Sequence, residues 1–337
     1  MTVRKEIWLL VDSRGSGGIE SHILQLASGL NQHHFPVSVV FIADYGSHPL
    51  KDALTEHGIR VITLSHAISG LWRLVKKEKP RLLHSHGYKA GIISRFIGML
   101  RGIPVVSTYH AGEAVTGKLA VYDFIDRHTA MLAAQCLTVS QPISQRLPVA
   151  SLMLNNFVHT ESVSMGSGEK YAFVGRLSEE KGPHIMLDIA RKLPDIQFHI
   201  YGDGPLSAQL QQQASVNVTF HGAQPDMSKI WPEIGLLIMP SLFEGLPMAA
   251  LESMSRGIPV VATHVGALPD LINNGVNGWL LPEADSDDFI DYIQQWQLMP
   301  VDQQMHMRLH ARYQVATKFS ADTVIPQLIS IYQKVSC

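Results

Sequence analysis

Two carboxylates stand eight positions apart around the junction between an apolar run and a helix. Glu244 and Glu252 flank this junction, which follows the apolar run 235–240. The run predicts a buried strand, and Pro247 suits the first turn of a helix, where the N–H that proline lacks has no partner. Free amides and the positive end of a helix dipole favour an anion, while each carboxylate accepts hydroxyl hydrogen bonds. The pattern therefore predicts a site for a phosphorylated, polyhydroxylated ligand.

Two cations follow the apolar strand that begins at Tyr171. Arg176 stands at the end of this strand, and Lys181 precedes a helical run over 184–193. Each cation alone is typical of a solvated surface charge, and a glutamate at a helix start is typical of a dipole partner. Their combination at one strand end favours a clamp for a diphosphate.

These motifs, taken in order, resemble glycosyltransferase family four, and the resemblance extends over essentially the whole chain. The matching residues are Gly175-Arg176 with Lys181-Gly182, Gly202-Asp203-Gly204-Pro205, Pro240-Ser241-Leu242-Phe243-Glu244-Gly245, Glu252, Pro259-Val260-Val261-Ala262-Thr263, Gly266-Ala267-Leu268-Pro269-Asp270 and Asn277-Gly278. The family's Asn-Phe-Val-Asp sequence appears here as Asn156-Phe157-Val158-His159, which removes the final acid. The chain is also compact for the family, so its acceptor-binding loops are expected to be short.

The resemblance implies an α/β protein with the GT-B fold, two Rossmann-like domains whose parallel sheets face a central cleft. It implies a retaining, metal-independent hexosyltransferase that uses a nucleoside-diphosphate sugar, UDP-sugar by default, and an acceptor hydroxyl. Envelope, lipopolysaccharide or capsular polysaccharide assembly is the expected setting. No cofactor is expected, because the nucleotide sugar is a co-substrate.

The resemblance also assigns roles to individual residues. Arg176 and Lys181 would hold the diphosphate, Glu244 the sugar hydroxyls and Glu252 the ribose hydroxyls, while His110 would contact the transferred sugar. The expected donor-binding set is Gly17, Gly18, Gly175, Gly202, Gly204, Gly245, Leu246, Pro247, Met248 and Glu252. On the acceptor side the expected residues are His86, Tyr88 and Lys89.

Histidines stand at or near several predicted strand ends in the first half. His84, deeper in its strand, is expected to satisfy a backbone partner, and Glu20 and His22 are expected to cap or line a helix start. The histidines of the first half show no helix spacing typical of zinc ligands, such as His-x-x-x-His. A zinc site there would need ligands that converge only in the fold, so no metal site is expected. Gly17 and Gly18 belong to a Gly-rich loop that is consistent with either a tight turn or a phosphate contact.

Short apolar runs alternate with helix-length segments, which predicts βαβ units and parallel sheets. A length of 337 residues predicts about two domains. We place a first domain at 1–158, a linker at 159–170, a second domain at 171–318 and a helix crossing back to the first domain at 319–337. The predicted strands are 7–11, 37–42, 61–64, 82–84, 105–108, 136–139, 172–174, 197–201, 218–221, 236–239, 260–262 and 279–280.

Charge divides unevenly between the halves. Residues 1–157 hold 16 Lys/Arg and 10 Asp/Glu, net +6, which leaves 27 − 16 = 11 basic and 29 − 10 = 19 acidic residues, net −8. The basic segments 71–79 and 89–101 are each consistent with a lipid-facing helix or with a helix that covers a sheet. An opening apolar run of only five residues predicts neither a signal peptide nor a membrane span, and two cysteines predict no disulfide framework. We expect a cytoplasmic protein, peripheral on the inner membrane face if a lipid-linked saccharide is its acceptor, with no nucleic-acid partner.

Two other functions remain open at this stage. A nucleotide-sugar epimerase of the same fold would turn over its substrate without an acceptor, and a catalytically silent homologue would serve as a complex subunit. The pair of glutamates argues against the first, and the intact Arg176, Lys181, Glu244 and Glu252 argue against the second.

Overall fold

The computed structural model describes residues 6–15, 17–110, 117–161 and 163–336. The chain forms two compact units, unit 1 from Met1–Asn156 with Ala321–Cys337, and unit 2 from Phe157–Ser320. Residues Ala111 and Gly112, which follow His110 in the sequence, lie outside the described ranges.

Unit 1 is built on a seven-stranded parallel sheet among its described residues, in the order β3-β2-β1-β4-β5-β6-β7. Its strands are β1 (Ile7–Val11), β2 (Val37–Phe41), β3 (Arg60–Thr63), β4 (Leu82–His86), β5 (Val105–Tyr109), β6 (Gln135–Thr138) and β7 (Leu152–Met153). Its helices are α1 (Gly18–Gln32), α2 (Pro49–Glu56), α3 (Ala67–Glu78), α4 (Tyr88–Arg101), α5 (Gly117–His128), α6 (Gln141–Arg146) and the last helix, α13 (Ala321–Val335).

Unit 2 contains a six-stranded parallel sheet in the order β10-β9-β8-β11-β12-β13. Its strands are β8 (Lys170–Val174), β9 (Phe198–Tyr201), β10 (Val218–Gly222), β11 (Ile234–Met239), β12 (Val260–Thr263) and β13 (Gly278–Leu281). Its helices are α7 (Pro183–Lys192), α8 (Ser207–Gln213), α9 (Met248–Ser255), α10 (Leu268–Leu271), α11 (Ser286–Leu298) and α12 (Val301–Lys318).

The α/β class and the predicted strands are confirmed in both units. Central strands such as β1, β4 and β11 are buried along their whole length, because helices cover both faces of a parallel sheet. The structure adds β7, a two-residue edge strand that is exposed. The placement of Pro247 in the first helical turn is wrong, because Pro247 has extended backbone and α9 begins one residue later.

Each sheet has one point where the strand order reverses. In unit 1 the reversal lies between the neighbouring strands β1 and β4, and in unit 2 it lies between β8 and β11. The loops that follow such a pair of strands run in opposite directions and leave a crevice at the carboxyl edge of the sheet, where ligands of open α/β folds bind. The predicted site residues follow these four strands or their neighbours.

The last helix completes unit 1. Helix α13 packs against α1, and its buried Tyr332 places its hydroxyl 2.6 Å from Nδ1 of His84 in β4. Val324, Ile325 and Leu328 on the same helix are buried. The sheet of unit 1 therefore depends on a segment that follows unit 2 in the sequence.

Candidate active site

Lys181 and Glu244 meet at the reversal point of the unit 2 sheet. Lys181 lies in the loop after β8, and its Nζ is 2.7 Å from Oε2 of Glu244, in the loop after β11. Ser241 Oγ donates to the other carboxylate oxygen at 2.9 Å. The Glu244 side chain is only 4% exposed, against 27% for Lys181. The two predicted site residues are therefore in contact, with the cation on the solvent side of the carboxylate.

The backbones of these two loops are also joined. The Leu242 N–H donates to the carbonyl of Glu180 at 2.8 Å. Gly182 has φ +64°, and a Cβ at this position would lie 2.0 Å from the carbonyl oxygen of Pro240. Only glycine allows this approach, so Gly182 sets the distance between the loop that carries Lys181 and the loop that carries Glu244.

Arg176 is the second predicted cation and is exposed in the loop after β8. Its guanidinium has neither a hydrogen bond nor an ion pair with any described residue, in contrast to Lys181. An unpaired cation at the carboxyl edge of the sheet can bind an anionic ligand without first breaking a contact.

Gly202 and Gly204, predicted to bind the donor, pack closely against the loop that carries Arg176. A Cβ on Gly202, which has φ +136°, would lie 1.9 Å from the Gly175 carbonyl oxygen, and one on Gly204 would lie 2.4 Å from the Leu177 carbonyl oxygen. The requirement for glycine at both positions is thus explained by contact between loops. At Gly175 itself, an added Cβ would make only ordinary contacts with the Phe173 ring.

The loop that carries Glu244 also packs closely against Gly266. This residue has φ +61°, and its Cβ would lie 2.3 Å from the Glu244 carbonyl oxygen. The neighbouring Ala267 N–H donates to the Gly245 carbonyl at 2.7 Å. Gly245, Leu246 and Met248 are buried, and Pro247 is partly exposed.

Glu252 lies in α9 and is oriented by a tryptophan. The indole Nε1 of Trp231, which is 1% exposed, donates to Glu252 Oε2 at 3.1 Å. Arg256 donates to the Glu252 backbone carbonyl at 2.9 Å, and burial lowers the pKa of this guanidinium. Trp231 carries no motif signal in the sequence, so the contact emerges only from the structure.

The Gly-rich loop of unit 1 follows β1. Gly17 precedes α1 in extended conformation without a side-chain cap, and Gly18 is the first helical residue. In the same loop Ser13 Oγ lies 2.9 Å from His48 Nε2. His48 Nδ1 accepts from the Leu50 N–H, so Nε2 carries the proton and donates to Ser13, which excludes His48 as the base that would activate this serine.

His84 has a structural role, but its partners are two side chains and not the backbone group that was expected. Its Nε2 lies 2.7 Å from Thr108 Oγ1, and its Nδ1 bonds Tyr332. Burial, with a smaller contribution from the neighbouring His110, lowers the pKa of His84 to about 3. The imidazole is therefore neutral and ties β4 to β5 and α13.

His86 and His110 lie together at the carboxyl edge of the unit 1 sheet. His86 Nδ1 is 3.0 Å from His110 Nε2, and the two rings are stacked. Burial lowers the pKa of His110 to about 4, opposed by a hydrogen bond with Asn156. Burial and the adjacent imidazoles lower the pKa of His86 well below its ordinary value.

Two roles were expected of His22, capping or lining the start of α1, and the capping role is wrong. His22 is buried inside the helix, with its ring centroid 4.8 Å from that of His110 and 5.4 Å from that of His86. Convergent histidines were the condition for a metal site, and these three come together without any helix spacing that would have revealed them in the sequence.

The predicted acceptor residues Tyr88 and Lys89 open α4. Both are partly buried, and Lys89 Nζ lies 3.3 Å from Asp12 Oδ2, in the loop after β1. The pair joins the loops after β1 and β4, the two strands at which the unit 1 sheet reverses.

A buried ion pair joins α4 to α5 and contacts β5. Arg95 in α4 is fully buried, and its Nη2 lies 2.5 Å from Asp126 Oδ1 of α5. Its Nη1 donates to Ser107 Oγ at 3.0 Å and to the Tyr109 hydroxyl at 3.2 Å, both in β5. Burial raises the pKa of Asp126, although the adjacent guanidinium opposes this shift. The segment 89–101 is thus not a uniformly basic surface helix.

Two α/β units, each with a parallel sheet and with charged and glycine-rich loops at its reversal point, are the elements of a glycosyltransferase of the GT-B class. One family model, "Glycosyltransferase Family 4", matches residues 16–148, and a second, "Glycosyl transferases group 1", matches residues 168–297. The two matches together span 133 + 130 = 263 of 337 residues. The chain belongs to glycosyltransferase family four.

Relatives and solved structures agree with this assignment. The chain is 26% identical to UDP-Gal:alpha-D-GlcNAc-diphosphoundecaprenol alpha-1,3-galactosyltransferase of Escherichia coli, over 69% of this chain and 70% of that protein. It is 28% identical to the amylovoran biosynthesis glycosyltransferase AmsK of Erwinia amylovora, over 48% of this chain and only 44% of AmsK. The structure of Anabaena HepE in complex with UDP-glucose superposes with a TM-score of 0.85 at 18% identity, over 98% of this chain and all of HepE.

Proposed function

We propose that this glycosyltransferase transfers a sugar from a nucleoside-diphosphate sugar to an acceptor hydroxyl with retention of anomeric configuration and without a metal in the transfer step. The observation that carries the proposal is the contact between Lys181 and Glu244 at the reversal point of the unit 2 sheet, with Arg176 in the same loop as Lys181 and without an ion pair among the described residues. Cations and a carboxylate at one sheet edge match a diphosphate joined to a polyhydroxylated sugar.

UDP is the proposed nucleotide. The E. coli relative is named for UDP-Gal, and HepE was solved with UDP-glucose. Arg176 and Lys181 would neutralise the charge that develops on the departing diphosphate, the task that a metal ion performs in other transferases. Diphosphate oxygens compete with Glu244 for Lys181, and the carboxylate released from this ion pair then accepts hydrogen bonds from the sugar.

The transfer step follows from these roles. The acceptor oxygen bonds to the anomeric carbon on the face from which the diphosphate leaves, the carbon–phosphate-oxygen bond breaks, and the acceptor proton passes to the leaving phosphate. His110 orients the sugar in this scheme, while His86, Tyr88 and Lys89 line the acceptor side. No side chain forms a covalent bond to the sugar.

Isotope transfer with a panel of labelled nucleotide sugars tests the function, and NMR of the product tests the stereochemistry. We expect an α-linked donor to give an α-linked product, read from the anomeric coupling constant. A β-linked product would overturn retention and require a general base in unit 1. Donor turnover without any acceptor would instead support the epimerase, and no turnover of any donor would support the silent homologue.

Glu252 is expected to contribute to donor affinity and little to the chemical step. The ribose hydroxyls that it would bind are remote from the reacting bond, so Glu252→Gln should weaken ground-state and transition-state binding alike. Calorimetry should show a raised nucleotide dissociation constant, with kcat at saturating donor nearly unchanged. Unchanged affinity would remove the ribose role, and Glu283→Gln, outside the sheet-reversal loops, is the matched control.

We propose that the acceptor is lipid-linked and assembled into envelope polysaccharide at an anionic membrane surface. Support comes from the diphosphoundecaprenol and amylovoran in the relatives' names and from an apolar surface of unit 1. By the α4–α5 face we mean the exposed apolar side chains of the contacting helices α4 and α5, among them Phe96, Met99, Leu100, Leu119, Val121 and Phe124. The exposed cations Lys76, Lys77 and Lys118 lie on α3 and α5, and α3 and α5 both pack against α4. Among the described residues, no helix has the length and apolarity that crossing a membrane requires.

Liposome co-sedimentation tests this α4–α5 face. Binding should rise with anionic lipid and fall between 0.1 and 1 M salt, as the Debye length shrinks from about 10 Å to about 3 Å. Leu119→Ser should weaken binding, whereas Leu309→Ser, similarly exposed on α12 of unit 2, should not. Binding to neither neutral nor anionic vesicles would argue for a soluble acceptor, and equal binding to both would argue against an anionic surface.

A further inference from the structure

Three histidines of unit 1 form a cluster that the proposed transfer does not fully use. His22 comes from α1, His86 from the end of β4 and His110 from the residue after β5. One ring nitrogen from each lies within 4.8 Å of the other two, and His86 Nδ1 is only 3.0 Å from His110 Nε2. Three imidazoles from three separate elements thus converge on one point.

The protonation state of the cluster suits a metal. Burial lowers the pKa of His110 to about 4, and it lowers the pKa values of His22 and His86 well below their ordinary range. All three rings are therefore neutral imidazoles, and a metal ion would replace the hydrogen bond between His86 Nδ1 and His110 Nε2, which occupies the lone pair of one of these rings. Neutral imidazole is the form that binds metal ions, whereas a protonated ring must first lose its proton.

The surroundings contain two further features of a metal site. His86 Nε2 is buried and has no hydrogen-bond partner among the described residues, a destabilising state that metal binding through Nε2, and not through Nδ1, would relieve. Asn156 hydrogen-bonds His110, as outer-shell residues do when they orient a ligating imidazole. Both features involve the cluster directly, because His86 is a member of it and Asn156 contacts His110.

The donor set selects the metal. Three nitrogens without a thiolate suit Zn²⁺, which takes histidine nitrogens at about 2.0–2.1 Å in tetrahedral geometry. That geometry separates the nitrogens by roughly 3.3 Å, so the widest pair of the cluster must approach by on the order of 1 Å. A three-histidine set leaves the fourth position open to water or to a substrate oxygen.

We propose that His22, His86 and His110 bind a divalent transition-metal ion, Zn²⁺ above all, and that the bound ion inhibits glycosyl transfer by withdrawing His110 from the sugar. The ion takes no part in the transfer step itself, because the cations that serve the diphosphate lie in unit 2. The metal site nevertheless shares His86 and His110 with the proposed acceptor and sugar contacts. Binding is independent of the proposed function, and only the inhibition rests on it.

Zn²⁺ binding is tested on the full chain after dialysis against EDTA. Calorimetry should give one tight equivalent, and His22→Gln should weaken that affinity by at least about tenfold, in line with changes around metal ligands. His57→Ala is the matched control, because His57 is exposed and bonds a carbonyl of its own helix. Equal Zn²⁺ affinity in the two variants would overturn the site.

A measurement on the unmodified chain guards against a variant that fails to fold. With ¹⁵N-labelled histidine, Zn²⁺ should shift the ring-nitrogen resonances of His22, His86 and His110, and Co²⁺ should give the visible bands of a tetrahedral nitrogen site. Shifts confined to exposed histidines such as His57 and His128 would also overturn the proposal.

Inhibition is measured separately. Transfer by the wild-type protein should fall over the Zn²⁺ range that saturates the calorimetric site, whereas His22→Gln should remain active and require at least about tenfold more Zn²⁺. Binding without loss of transfer would overturn the inhibitory part alone. Failure to detect transfer with any donor would count against the proposed function, while the spectroscopic result would still decide the metal site.

Discussion

Arg176→Ala is expected to lower kcat/KM for glycosyl transfer by about 10²–10³-fold, equivalent to about 2.7–4 kcal/mol of transition-state stabilisation. The melting temperature should not change, because this exposed guanidinium has no partner among the described residues. Steady-state kinetics with the identified donor and differential scanning fluorimetry measure the two effects. Arg191→Ala, which removes an exposed arginine from α7, should change neither.

Lys181→Ala should cause a similar loss of turnover but also a lower melting temperature. The substitution leaves the Glu244 carboxylate, which is 4% exposed, with Ser241 but without its cation. The double variant Lys181→Ala/Glu244→Gln removes the stranded charge, so it should recover the melting temperature without recovering turnover. Near-normal rates in both Arg176→Ala and Lys181→Ala at saturating donor would contradict the diphosphate clamp.

Asp126→Ala is expected to destabilise unit 1 by about 3–5 kcal/mol, because it leaves the guanidinium of Arg95 buried without a counter-charge. Hydrogen–deuterium exchange in β5 is the appropriate measurement, since Arg95 bonds Ser107 and Tyr109 of this strand and local opening would be detected there. Protection of β5 amides should fall by a factor corresponding to that free energy.

Asp188→Ala is the matched control for Asp126→Ala. Asp188 also pairs with an arginine, Arg191 at 2.7 Å, but both side chains are about half exposed or more. Such a surface pair contributes about 0–1 kcal/mol, so exchange in unit 2 should change little. Similar effects of the two substitutions would show that burial does not determine the energetic role of the Arg95–Asp126 pair.

The strands were predictable because a parallel sheet covered on both faces requires nearly continuous apolar runs. The segments at β1 and β11 are such runs, and each corresponds to a buried strand. Strand β7 was not predictable in this way, since Leu152 and Met153 are exposed at a sheet edge and form only a two-residue segment. The periodicity of apolar residues indicates which side chains are buried, so it does not predict an exposed strand at a sheet edge.

The site was predictable where a motif concentrates charge at a strand end. Arg176, Lys181 and Glu244 were identified from spacing and resemblance, and the structure brings Lys181 and Glu244 into contact. The packing role of Gly202 and Gly204 required the structure, because a short Gly-x-Gly sequence does not distinguish a ligand approach from the approach of two loops.

Contacts between distant elements could not be predicted. Arg95 stands in an apolar helical run and resembles a surface cation in the sequence, yet its partner Asp126 lies on another helix. Likewise His22, His86 and His110 converge from three elements separated by up to 88 positions, 110 − 22, without a local spacing pattern. Only the sheet order and the helix packing determine which of these residues meet.

The return of α13 to unit 1 has a consequence for how the chain matures as it is made. Unit 2 is one continuous segment, Phe157–Ser320, whereas unit 1 is incomplete until Ala321–Val335 has been synthesised. During translation the earlier part of unit 1 therefore cannot complete its folding. His84 lacks the Tyr332 hydroxyl, and the surface that contacts α13 is uncovered. We expect unit 2 to reach its native state first, in reverse of the usual N-terminal-first order, so that docking of α13 completes unit 1 only after unit 2 has been synthesised.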